Sequence, residues 1–340
     1  MKHIIKTTVI TMLVGISMSA SAQSKSGYHV INTFHMAGTT GWDYIKLDPG
    51  SNKLFQSHGT QVNILDRTTG DSLGVIPNTT GVHGIAFVNS MNKGYTSNGK
   101  LNTVTVFDLT SFKILKQVPT DQNPDAIMYD GFSKKIITCN GRGKNLSIID
   151  PQTDTVVATI ALEGKPEEAV SDDAGKLYVN LEDKSEIAEV DITANKVLQR
   201  WAITPGESPT GLAFDKKTKR LFAGCDNQLL IVLDAVTGKV ITKLPIGDEC
   251  DGTAFDPTLK YIFASCGDGT LTVISEESEN EFKIVDKVAT KKGARTITID
   301  EHTHYVYLPT AEFEPLPVDA DKKTKPKIIP GSFQIIVLGR

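Results

Sequence analysis

A short alternating segment closed by an aspartate recurs along this chain at nearly constant spacing, and that repetition limits the fold more than any other feature. The copies read Val62-Asn63-Ile64-Leu65-Asp66, Val104-Thr105-Val106-Phe107-Asp108, Leu146-Ser147-Ile148-Ile149-Asp150, Ile187-Ala188-Glu189-Val190-Asp191, Leu230-Ile231-Val232-Leu233-Asp234 and Leu271-Thr272-Val273-Ile274-Ser275. Their last residues stand 42, 42, 41, 43 and 41 positions apart. Two strand-like pieces joined by a turn precede each copy, as at 211–215 and 220–224, and a fourth follows a Thr-Gly or similar turn, as at 240–244. Alternation of Val, Ile and Leu with polar residues has the period of a strand, and no stretch beyond about ten residues carries the 3.6 period of a helix.

A repeat near 42 residues with four strands per copy fits a β-propeller, in which each copy is a blade that buries its faces against its neighbours. Solenoids of that period are built from helices. Copies beginning near Asp43, His83, Asp125, Glu167, Thr210, Asp251 and Arg295 predict an all-β, seven-bladed β-propeller. The last copy has strands at 296–300, 305–309 and 333–338, then the chain stops at Arg340 without a fourth. Residues 29–36 resemble the outer strands 156–162 and 240–246. The N-terminal strand is therefore expected to complete the last blade and close the ring, which removes the open edges of a linear stack.

Leu177-Tyr178-Val179-Asn180 stands where the YVTN-repeat β-propeller family of YncE-like exported proteins has its name-giving tetrapeptide, and residues 232–241 fit that family's pattern most closely. The chain resembles the family over residues 28–340. The resemblance implies an exported propeller acting mainly as a binding or scaffolding module. Relatives by fold also include metal-dependent lactonases, lyases and electron-transfer subunits, so fold alone assigns no activity. The chain departs from the pattern at Ser97-Asn98 and Cys139-Asn140, and the last copy carries about 20 extra residues rich in Pro, Lys and Asp at 311–331. An insertion of that length is usually functional or disordered, leaving both a passive loop and a lid or partner contact open.

Residues 1–22 have the layout of a secretory signal peptide: Lys2 and Lys6, an apolar and hydroxylated run, and the small triplet Ala20-Ser21-Ala22. Cleavage after Ala22 would leave 23–340 as a single exported domain, periplasmic or secreted. That domain would have no transmembrane anchor, because no other stretch approaches the length needed to cross a core of about 30 Å. Loss of Lys2 and Lys6 takes the formal net charge from −4 to −6. Nucleic acid is set aside as a partner on that balance, since phosphate recognition needs a surplus of Lys and Arg. The one contrary signal is the local run Lys322, Lys323, Lys325 and Lys327.

In a propeller the inner strands begin, and the second strands end, on one face. One column of residues there is Asp43, His83, Asp125, Glu167, Thr210, Asp251 and Arg295; the other is His58, Asn98, Asn140, Leu181, Cys225, Cys266 and Thr310. Antiparallel pairing is expected to join Asp43 with His58, His83 with Asn98, Asp125 with Asn140, and Asp251 with Cys266. The expected ligand site is thus a channel mouth lined by Asp43, His58, His83, Asn98, Asp125, Asn140, Glu167, Asp251 and Arg295. It would receive a small molecule, a peptide or a cell-envelope protein.

Crowded carboxylates raise one another's pKa or recruit a cation. Asp125, Asn140, Glu167 and Asp251 offer the oxygen ligands that a divalent cation such as calcium prefers, with His83 as a candidate acid or base. No other cofactor is expected. Non-catalytic binding is the leading expectation, and a metal-dependent hydrolase, lactonase or lyase using the same carboxylates is the alternative. A plain solvated channel would use the same residue types.

Cys250 and Cys266 flank one hairpin, which permits either a disulfide in an oxidising compartment or buried thiols. No C-x-x-C, H-E-x-x-H, P-loop or dinucleotide fingerprint occurs. Gly206-Glu207-Ser208-Pro209-Thr210 misses the nucleophile elbow and leads into a strand. His302 and His304 are expected in a solvated turn on the opposite face.

Overall fold

The computed structural model describes residues 26–38, 40–316 and 326–340. The signal-peptide reading of residues 1–22 and most of the basic run, at Lys322, Lys323 and Lys325, fall outside those residues. The described chain forms seven four-stranded antiparallel sheets, each one blade. Blade one runs outward from the channel as Trp42–Leu47, Lys53–His58, Gln61–Asp66 and Ser72–Ile76, and the next five repeat that meander. The only helical turns among the described residues are Asn89–Met91 and Glu182–Lys184. Among the described residues, no helix is long and apolar enough to cross a membrane.

Ring closure follows the sequence expectation. His29–His35 pairs antiparallel with Gln334–Gly339, from His29 opposite Gly339 to His35 opposite Gln334, so the first strand is the outer strand of the last blade. The repeating aspartate has a local cause. Its Oδ1 accepts backbone N–H groups two and three residues ahead, at 2.8 and 3.0 Å for Asp66 and 2.8 and 2.9 Å for Asp234, which fixes the turn into the fourth strand. Blade six has Ser275 at this position, and its hairpin runs on, with strands Thr270–Ser278 and Glu281–Ala289.

The apolar positions of neighbouring blades meet in clusters that lie one between each pair of blades around the ring. Leu54, Ile45, Phe34 and Ile335 fill the junction of blades seven and one, and Leu177, Val179, Leu146 and Ile148 that of blades three and four. The core is thus a ring of inter-blade layers, as expected of faces that cannot be buried within one sheet.

Each of the first six inner strands starts with an irregularity that moves the site residues. Trp42 faces His58 and Ile45 faces Gln56, so three steps on the inner strand match two on its neighbour. The same extra residue separates Val82 from Ile85, Pro124 from Ile127, Pro166 from Ala169, Pro209 from Leu212 and Cys250 from Gly252. A bulge of this kind bends the strand and re-aims its side chains.

The described residues of the insertion in the last blade form a short hairpin stem. Phe313 bridges Ile328, and Glu314 N–H donates to the Lys327 carbonyl at 2.8 Å while Ile329 N–H donates to that of Glu312 at 2.8 Å. It arches over the channel mouth, where Phe313, Leu316, Pro326 and Ile328 face the opening.

Candidate functional site at the channel mouth

The bulges turn one predicted column into the channel and leave the other inside the blades. Asp43, His83, Asp125, Glu167 and Asp251 are the second residues of their inner strands and are half-buried at the mouth; Arg295 precedes the short strand Thr298–Asp300. The expected pairings are each displaced by one residue, because Trp42, Val82, Pro124 and Cys250 are the true partners of His58, Asn98, Asn140 and Cys266. A shift of one residue sends a side chain to the opposite face.

Asn98 is wholly buried and donates to Thr105 Oγ1 at 2.8 Å, and Asn140 is wholly buried and donates to Asn145 Oδ1 at 2.7 Å and Ser147 Oγ at 2.8 Å. His58 is 3% exposed and stacks on Phe333 with ring centroids 4.3 Å apart. Burial holds its imidazole below the ordinary value, so it packs as a neutral ring. These three residues belong to the blade interiors, which corrects their expected place on the mouth. Thr210 bonds the Cys250 carbonyl at 2.5 Å and joins two blades.

The cavity at the mouth measures about 1100 Å³. Asp43, Asp125, Glu167, Glu182, Asp226, Glu249 and Asp251 line it against Lys165, Lys292 and Arg295, so seven carboxylates face three cations. Trp42 and Tyr44 complete the wall, and Trp42 lies 5.9 Å from the Phe313 ring of the roof. Tyr44 and Asp251 also line a second cavity of about 650 Å³ towards the other face, so they mark the waist of the channel.

Sequence reasoning missed Glu182, Asp226, Glu249, Lys165 and Lys292. A signal for two of them was available one position past the second strands. Blades one, two, three and six carry Gly59, Gly99, Gly141 and Gly267 there, while blades four and five carry Glu182 and Asp226.

Three ion clusters divide the ring. His83 Nδ1 lies 2.5 Å from Asp43 Oδ2 and 3.6 Å from Asp125 Oδ1. Lys165 pairs with Glu167 at 2.6 Å and also with Glu182. Arg295 Nε meets Asp251 Oδ2 at 2.5 Å. Burial opposes the charge on His83, but its hydrogen bond to Asp43 and the fields of Asp125 and Asp43 win and raise it to about 9. Burial and the Asp43 and Asp251 charges push Asp125 above the carboxylate range, against the pull of His83. Glu167 is pushed up by burial, by Asp125 and by sharing a proton with Glu182. For Glu182, burial is outweighed by the bonds from Glu167 and Lys165, which hold it low. Below the mouth, burial lifts Glu168 to about 7.

Of the expected metal set, Asp125, Glu167 and Asp251 face the cavity and Asn140 does not. Among the described residues, the donor atoms that come within 4.8 Å of one another are those of Asp43, His83 and Asp125. One nitrogen and two carboxylates suit a transition ion better than calcium, which takes six to eight oxygens. Cys250 and Cys266 stand directly opposite each other as buried thiols, and Cys139 and Cys225 are also buried thiols. His304 bonds Asp256 at 2.6 Å, an anchor between blades six and seven.

No protein-family profile matches the sequence, and no curated protein matches it. Its fold is shared: a chain of hydrazine synthase from Kuenenia stuttgartiensis superposes with a TM-score of 0.71 over 82% of this chain and 95% of that one, at 16% identity. Likeness at that identity is a likeness of fold. With 1835 solved chains matching the structure, it selects no single activity. The chain is a seven-bladed β-propeller.

Proposed function

We propose that this propeller is an exported, non-catalytic binding protein, as the YVTN-repeat resemblance implies, and that its ligand sits in the cavity between the channel mouth and the hairpin roof. The observation that carries this reading is a cavity of about 1100 Å³ in which seven carboxylates face three cations beneath an apolar roof. A large concave site with a few convergent polar groups is the usual form of a ligand pocket. Asp43, Glu167, Glu182 and Asp251 are held by ion pairs with His83, Lys165 and Arg295, so that part of the site is preformed.

The second reading, a metal-dependent hydrolase, lactonase or lyase, is favoured by the Asp43, His83 and Asp125 cluster. In that role the three residues would hold a divalent ion able to polarise a carbonyl and activate water.

One experiment separates the two. The purified protein and a Glu167→Gln, Asp251→Asn variant are analysed for bound metal, assayed on lactone and ester panels, and melted against charged and neutral small molecules. Binding predicts a compound class that raises the wild-type melting temperature and not that of the variant, without turnover. Turnover that needs a stoichiometric metal and is lost in Asp125→Asn would replace the binding reading with the enzymatic one.

A further inference from the structure

We infer that the mouth cavity is built for an organic cation with an apolar body, an amine or quaternary ammonium bearing an aromatic or branched aliphatic group. This rests on the binding role proposed above and names its ligand class. The floor supplies the charge. His83 is taken up by Asp43, Lys165 by Glu167 and Glu182, and Arg295 by Asp251. Asp226 and Glu249, on the sector of blades five and six, and the lining Lys292 make no ion pair among the described residues, so two unpaired carboxylates stand against one unpaired ammonium. An anion would have Lys292 as its one unpaired cation against this excess of carboxylates.

The roof supplies the apolar part. Along the hairpin stem, Phe313 and Ile328 face the cavity at half burial, while Glu312, Glu314 and Lys327 face solvent. Alternation of this kind places one side of the stem over the opening. With Trp42 5.9 Å from Phe313, two aromatic rings border the space above the carboxylates, and rings of this type attract a cation as well as covering an apolar body. Volume decides against a bare metal ion as the principal occupant. A cavity of about 1100 Å³ leaves most of its wall and all of the roof untouched by an ion held at Asp43, His83 and Asp125.

The test titrates the full protein with benzyltrimethylammonium, tetramethylammonium, benzyl alcohol, calcium and zinc by calorimetry. Benzyltrimethylammonium is expected to bind at one site, at least tenfold more tightly than tetramethylammonium or benzyl alcohol. Asp226→Asn should weaken it several-fold. Phe313→Ala, on the half-exposed roof, should weaken benzyltrimethylammonium about tenfold and tetramethylammonium by less. Equal or tighter binding of benzyl alcohol, no effect of Phe313→Ala, or binding of the metals alone overturns the inference. A neutral or anionic compound that stabilises the wild type but not the Glu167→Gln, Asp251→Asn variant would overturn the cation assignment and leave the binding role standing.

Discussion

Asn180 shows how one side chain can hold a site it does not enter. From the second strand of blade four it donates to the carbonyls of Thr210 and Gly211, each at 3.1 Å, across the blade boundary and at the bulge of blade five. Ser97 reaches the Asp125 carbonyl and Ser265 that of Arg295 in the same way. Asn180→Ala removes the amide donor to both carbonyls and is expected to cost about 2–3 kcal/mol, and Asn180→Asp more, since it sets an acceptor against acceptors. Denaturant unfolding measures both, and a change under about 0.5 kcal/mol would show that the bonds are replaceable.

His83 makes the matching prediction for pH. Its folded pKa of about 9 exceeds the ordinary 6.5, so the native state keeps a proton that the unfolded chain sheds between those values. The stabilisation is complete below pH 6.5 and is lost as pH rises through about 9, a fall of roughly 1–3 kcal/mol. Glu168, raised to about 7, acts in the same direction at lower pH, and Asp125 and Glu167, also pushed up, add to the fall. His83→Gln should flatten the melting profile between pH 6.5 and 9; a profile parallel to wild type would assign the fall to other groups.

The bulged starts of the inner strands set the geometry of the site, and they are where two blades come closest. A Cβ placed on Gly211 would lie 2.5 Å from Thr253 N and 2.8 Å from Gly252 C, both backbone atoms that cannot rotate away. Gly211→Ala is therefore expected to cost about 1–3 kcal/mol by overpacking, and to disturb Thr210 and Asp251 on either side. The equivalent positions in blades one, three and four hold Tyr44, Ala126 and Glu168, while blades two and six hold Gly84 and Gly252, where a Cβ would lie 3.0 Å from Ile127 N and 2.9 Å from Arg295 O, so the constraint recurs at three junctions and is tightest between blades five and six. A melting temperature unchanged in Gly211→Ala would mean that the two inner strands can part without loss.

The same bulges explain what the sequence could and could not reveal. Strand period, the turn-capping aspartates and the face carrying Asp43, His83, Asp125, Glu167, Asp251 and Arg295 are local patterns, readable from residue spacing. An extra residue at the start of each of the first six inner strands leaves no mark in a period-two reading, so spacing alone places His58, Asn98 and Asn140 on the channel side of their strands although they lie inside the blades. The roof was visible only as an insertion, because the contact of Phe313 with Ile328 joins residues whose intervening chain has no repeat to compare with.

At the scale of the whole molecule, seven inter-blade layers hold only if the ring is shut, and one strand from the opposite end of the chain shuts it. His29–His35 is largely exposed along its length, yet Tyr28, Phe34 and Met36 around it are buried in the layers that blade seven shares with blades six and one. Tyr28 packs edge-on against Phe263 with centroids 5.2 Å apart, and its hydroxyl donates to the His304 carbonyl at 2.8 Å. Loss of a buried aromatic costs about 3–5 kcal/mol, and this segment holds two. Removing residues 26–36 also uncovers the edge Gln334–Gly339, an unpaired strand open to other chains. The truncated protein should unfold at a much lower temperature and associate with increasing concentration. A synthetic peptide of residues 26–36 supplied in trans should restore both properties by adding back the strand. Calorimetry with light scattering reads the two effects together. A truncated monomer melting with the wild type would show that the other blades sustain the ring without closure, whereas rescue by the peptide, and not by one with Phe34 and Tyr28 replaced by Ala, would assign the closure to those buried anchors.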